Sequence, residues 1–182
     1  MPGKKAHSLA ATDWSAEIHR ALKSQRVRQV SYVPDAGHKH LIELCHADKS
    51  MKAVPLTTEE EGVGLAAGAW LGGERAVLLM QSSGVGNCIN ALTLAANCAF
   101  PLLMLVTMRG ERGEFNPWQI PMGQAASDAL RLMGVRTMRL ERAEEAGATV
   151  AAAAKLAFEG HGAVAVLISQ AMIGVKSFGD KP

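Results

Sequence analysis

Residues 76–107 read AVLLMQSSGVGNCINALTLAANCAFPLLMLVT, and the two runs at the ends of this stretch decide the fold. AVLLMQ (76–81) and LLMLVT (102–107) are almost wholly apolar, as central strands buried on both faces must be. Between them the apolar residues fall at helical spacing. The same alternation runs outward in both directions, with β-branched runs closed by Gly, Pro or Asp. Helices are predicted at 13–25, 37–47, 58–72, 86–100, 124–133 and 142–159, and strands at 28–33, 52–56, 76–81, 102–107, 135–139 and 163–168. The order implies an α/β domain with a doubly wound, six-stranded parallel sheet and helices on both faces.

With 182 residues the chain fits one domain, burying roughly 70% of its unfolded surface. That domain is expected over 13–174, between a flexible N-terminal tail (1–12) and a C-terminal tail (175–182). A formal charge of +2, without long runs of either sign, and few aromatic residues argue against a nucleic-acid partner. Cys45, Cys88 and Cys98 lack the spacing of a disulfide framework or a zinc site, and suit a reducing cytoplasm. No segment reads as a signal peptide or reaches the roughly 20 apolar residues of a membrane helix.

Thr57-Thr58-Glu59-Glu60-Glu61 opens the third helix, where Thr58 and Glu61 form a capping box and the acids favour the positive end of the helix. From Gly62 to Gly73, GVGLAAGAWLGG carries no polar side chain on any face. A helix apolar all round is buried all round, and a sheet covers only one side of it. The other side is therefore expected to meet a partner surface. After the strand at 76–81, Ser83-Gly84-Val85-Gly86-Asn87 is a glycine turn, either a plain one or one that faces a ligand. Asn87, Asn90 and Asn97 then form an amide stripe, solvated or paired across an interface. His38 and His40 lie in the loop after the first strand, as surface histidines or as a proton shuttle. The long connection 108–121, MRGERGEFNPWQIP, carries Arg109, Arg112, Trp118 and Gln119 and has the length of a functional loop.

Taken together, EEEGVGLAAGAW (59–70), LLMQSSGVGNCINAL (78–92), PLLMLVTMRGERGE (101–114) and IPMGQA (120–125) resemble the pyrimidine-binding domain of thiamine-diphosphate enzymes. Within that superfamily the likeness is to the phosphonopyruvate decarboxylases and to the alpha subunit of the sulfopyruvate decarboxylases, over about residues 14–172. The resemblance implies thiamine diphosphate as cofactor and decarboxylation of a small anionic 2-oxo acid to an aldehyde. It also implies a glutamate that hydrogen-bonds N1′ of the aminopyrimidine and so activates the thiazolium C2. Matching the family's Glu-x-Gly-x-x-x-Ala-Ala puts that glutamate at Glu60, with Glu59 as the alternative if the register shifts by one.

By the same carry-over Ser83, Gly84 and Asn87 bind the cofactor, His38 faces the reacting substrate carbon, and Arg109 and Gln119 take the substrate's anionic tail. Family members of full length carry a Gly-Asp-Gly motif with a downstream asparagine that holds Mg2+ and the diphosphate. Here the only Gly-Asp is Gly179-Asp180. The expectation is that a diphosphate-binding beta subunit supplies the Mg2+ site, in a hetero-oligomer of even subunit number. A carboligase subunit and a non-catalytic homologue that lost its partner remain the alternatives.

Overall fold

The computed structural model describes residues 12–174; the expected tails lie outside the described residues, Thr12 excepted. The chain runs through α1 (Trp14–Ser24), β1 (Val27–Tyr32), α2 (Lys39–Ala47), β2 (Lys52–Pro55), α3 (Glu60–Leu71) and β3 (Arg75–Gln81). It continues through α4 (Ser82–Cys88), α5 (Leu92–Cys98), β4 (Leu102–Thr107), α6 (Ile120–Leu132), β5 (Arg136–Leu140), α7 (Ala146–Gly160), β6 (Ala163–Ile168) and a short α8 (Gln170–Ile173). The strands lie in the order β2-β1-β3-β4-β6-β5, and every neighbouring pair is parallel. This is the doubly wound sheet that the alternating pattern implies.

Side chains of one strand point to opposite faces, so the all-apolar strands feed two cores at once. Leu103 and Leu105 of β4, with Val77 and Leu79 of β3, pack with α1, α2 and α7. Leu102, Met104 and Val106, with Leu78 and Met80, pack with α3 to α6. All six residues of β4 are buried, whereas the edge strand β2 is exposed at both ends. Each fully buried leucine here stabilises the fold such that truncation to alanine costs about 2–5 kcal/mol.

Two stretches differ from the sequence expectation. The glycine turn expected at 83–87 is itself helical: Gln81 is still extended and Ser82 already begins α4. The predicted single helix 86–100 is two, α4 and α5. Small residues at 82–86 allow this tight passage, with Gly86 facing Met122 of α6. The long connection also closes early, because a 3-10 turn at Pro117–Gln119 leads straight into α6. Pro121 sits in the first turn of α6, where its missing N–H deprives no helical hydrogen bond. A Cβ added at Gly123 would stand 1.8 Å from the carbonyl oxygen of Arg109, so this glycine lets α6 lie on the chain leaving β4.

Because all strands run the same way, the segments that follow β1, β2, β3, β4 and β6 all emerge at one edge of the sheet. Ligands of open α/β sheets gather at that edge.

Candidate active site at the carboxyl edge of the sheet

Gly62 shows which face of α3 is turned to the sheet. A Cβ there would come within 2.4 Å of Leu78 Cδ1, so α3 rests on β3 through bare backbone. Val63 and Ala66 continue that buried face. Three residues before Gly62, on the same face, stands Glu59, a buried carboxylate only 6% exposed. Asn87 Nδ2 donates to its Oε2 at 2.7 Å. Its Oε1 lies over Gly84, where an added Cβ would be 2.4 Å away; a larger residue at 84 would expel the carboxylate. Glu60 is exposed, on the side of the helix that also exposes Gly64. Glu61 Oε2 accepts from the Thr57 N–H at 2.9 Å, but no backbone N–H donates to the Thr58 hydroxyl to complete the capping box among the described residues. Ser83 is half-buried in the first turn of α4.

A cavity of about 130 Å³ opens beside this cluster's edge of the sheet, lined by Asp35, Gly37, Thr107, Arg109, Phe115 and Gln170 among others. Arg109 is already engaged. Its Nε and Nη2 donate to the two oxygens of Glu114 at 2.8 and 2.9 Å. Glu114 also accepts from the Gly110 and Asn116 N–H groups and from Gln170 Nε2. The Arg109 guanidinium first, and those backbone N–H groups after it, hold the Glu114 carboxyl down to about 2. The Arg109 N–H donates to Ser82 Oγ at 3.1 Å, which ties the chain after β4 to the start of α4.

His38 does not line the cavity. It caps α2 from a fully buried position, with Nε2 3.1 Å from the Leu105 carbonyl oxygen, which fixes the proton on that nitrogen. Burial pushes its pKa below the usual histidine value, and the nearby Asp35 carboxylate opposes this. Gln119 ends the 3-10 turn before α6, outside the cavity lining, with its Oε1 buried. The structure thus brings Gly84 and Asn87 together at Glu59, with Ser83 next to Gly84 in the first turn of α4, and sets Arg109 in a separate cavity with Asp35. Asp35, Glu114 and Gln170 carry no sequence motif. For Asp35 the available signal was its place in the loop after the first strand, the same loop that drew attention to His38.

Among the described residues no cluster of three or more His, Cys, Asp or Glu side chains is arranged to hold a metal ion, and no helix is long and apolar enough to cross a membrane.

The family profile described as thiamine pyrophosphate enzyme, N-terminal TPP binding domain, matches residues 13–130. The chain is 34% identical over 157 residues to the sulfopyruvate decarboxylase subunit alpha of Methanothermobacter thermautotrophicus, covering 86% of this chain and 95% of that one. It is 34% identical over 120 residues to the phosphonopyruvate decarboxylase of Streptomyces viridochromogenes, covering 65% of this chain and 30% of the relative. Among solved structures, the 2-oxoglutarate:ferredoxin oxidoreductase from Magnetococcus marinus superposes with a TM-score of 0.67 at 12% identity, covering 86% of this chain and 28% of that chain, a likeness of fold alone. Matched by the profile over most of its length and by a relative over nearly the whole of that relative, the chain belongs to the N-terminal TPP binding domain family of thiamine pyrophosphate enzymes.

Proposed function

We propose that the chain is the alpha subunit of a two-subunit thiamine-diphosphate-dependent decarboxylase. Its substrate is a small anionic 2-oxo acid, sulfopyruvate first and phosphonopyruvate second, and its products are an aldehyde and carbon dioxide. The observation that carries this reading is Glu59, a buried carboxylate seated over Gly84 and held by Asn87 at the carboxyl edge of the sheet. These residues fit the aminopyrimidine: an acid for the ring nitrogen, an amide beside it, and a glycine that leaves room. When bound, thiamine diphosphate supplies a nucleophilic carbon and a sink for the electron pair left as carbon dioxide departs.

In this reading Glu59, rather than Glu60, holds and returns the proton at the pyrimidine ring. Asn87 occupies Oε2, so Oε1 is the oxygen left for that exchange. Asp35 takes the substrate-facing place first expected of His38, since Asp35 lines the cavity while His38 anchors the loop to β4. Arg109 offers the substrate's tail the guanidinium nitrogen, Nη1, that Glu114 does not use. Gln119 has no assigned role.

The second subunit covers the open face of α3, where Gly64 and Gly68 have nothing within 4 Å of an added Cβ and Leu71 is 87% exposed. It brings the Mg2+ and diphosphate site, in a hetero-oligomer of even subunit number. Two comparisons support this arrangement: a relative of nearly the same length is named as an alpha subunit, whereas the phosphonopyruvate decarboxylase has most of its length unmatched.

The test is exchange of the thiazolium C2 proton, followed by NMR in the reconstituted two-subunit enzyme. Glu59→Gln is expected to slow exchange by roughly 10²–10⁴-fold with cofactor still bound, while Glu60→Gln stays near the wild-type rate. The reverse pattern would return the role to Glu60.

A further inference from the structure

We infer that Thr107 is a positioning residue for the carboxylate of Asp35, fixing one oxygen so that the other is presented to the substrate's reacting end. The inference rests on the decarboxylase reading above. Thr107 is the last residue of β4 and is fully buried. Its hydroxyl donates to Asp35 Oδ2 at 2.6 Å, the length of a charge-assisted bond. The competing acceptor, the Met80 carbonyl oxygen, is 3.4 Å away and too distant to take the proton.

Thr107 ends a strand whose other residues are Leu102, Leu103, Met104, Leu105 and Val106. At such a position valine has the same shape and no hydroxyl to desolvate. A buried hydroxyl without a partner destabilises a fold, so the hydroxyl is tolerable here because Asp35 receives it. Asp35 in turn has no other side-chain hydrogen bond among the described residues. Its loop is pinned from behind, where the His38 N–H donates to the Asp35 carbonyl oxygen and the His38 ring reaches Leu105.

Gly37 completes the arrangement. A Cβ there would stand 2.9 Å from both Asp35 Oδ2 and Thr107 Cγ2, and would part the pair. The charged and titratable neighbours are His38 behind the loop, Lys39 and Glu43 on α2, and Arg109 across the cavity. None of them hydrogen-bonds the Asp35 side chain among the described residues. Orientation of Asp35 is thus left to one hydroxyl.

The experiment compares Thr107→Val, Thr107→Ser, Asp35→Asn and the double variant Thr107→Val/Asp35→Asn in the reconstituted enzyme, with sulfopyruvate as substrate. Thr107→Val is expected to lower kcat by roughly 10- to 100-fold, the scale of a misplaced catalytic group. KM should stay within about threefold, and C2-proton exchange, which depends on Glu59, should not change. Thr107→Ser should recover most of the rate, and Thr107→Val should cost nothing further in the Asp35→Asn background. An unaffected Thr107→Val enzyme, a Thr107→Ser enzyme as slow as the valine variant, or losses that multiply in the double variant would overturn the inference. A wild-type complex that neither exchanges nor decarboxylates would instead sink the decarboxylase reading, and the inference with it.

Discussion

Replacing Glu114 by glutamine removes one charge from the most heavily bonded side chain of the site. The wild-type carboxylate is 1% exposed and takes two bonds from Arg109, two from backbone N–H groups and one from Gln170. Those donors hold it at about 2 instead of the ordinary 4.5. A separation of that size corresponds to about 3 kcal/mol of stabilisation at neutral pH. Because the folded value lies below the unfolded one, the stabilisation is complete above pH 4.5 and is lost as pH falls from 4.5 toward 2. Glu114→Gln should therefore unfold in urea with a stability lower by up to about 3 kcal/mol at pH 7, and the gap to wild type should close as the pH is lowered through that window. Amide exchange at Gly110 and Asn116 should accelerate in the variant, since both N–H groups lose an ionised acceptor. A stability gap that stays constant from pH 7 to pH 3, or unchanged exchange at those two amides, would refute the electrostatic account.

The open face of α3 gives a prediction with two signs. Gly64→Ala places a methyl group in empty space within a helix and should stabilise the isolated chain by about 0.5–1 kcal/mol, yet weaken co-purification with the second subunit; unimpaired assembly would remove this face from the interface. Of the three cysteines, Cys45 and Cys88 are buried and their thiols are pushed up to about 12 by that burial, while Cys98 is exposed on α5. A thiol reagent should label one cysteine, Cys98, per folded chain; labelling of a second before unfolding would refute the burial of Cys45 and Cys88.

Strand positions were legible because Val77–Met80 and Leu102–Val106 have no polar residue to confuse with a loop. The register of the acid proposed to meet the pyrimidine was not. Three consecutive glutamates precede a helix without a polar residue, so nothing in the composition of α3 says which side faces the sheet. The side is chosen by Gly62 fitting onto Leu78, a contact between residues sixteen positions apart in the chain. Once Gly62, Val63 and Ala66 are known to point inward, helical spacing carries Glu59 inward and turns Glu60 to the open face. The extent of the loop after β4 was likewise hidden, because its closure depends on Glu114 collecting donors from within the loop and from Gln170, 56 residues further along the chain. Asp35 was overlooked beside His38 for a similar reason: nothing in the loop's composition says that Asp35 lines the cavity at the carboxyl ends of the strands while the His38 ring is buried against Leu105.

The passage from β3 to α4 contains no connecting residue at all, Gln81 being extended and Ser82 helical. A joint without slack transmits force. Any tilt of α4 would drag on β3, and β3 is gripped by β1 on one side and β4 on the other. The seat formed by Gly84 and Asn87 beneath Glu59 is for that reason as stiff as the sheet itself. A ring docking on Glu59 would therefore meet a surface whose shape is set by strand pairing before it arrives.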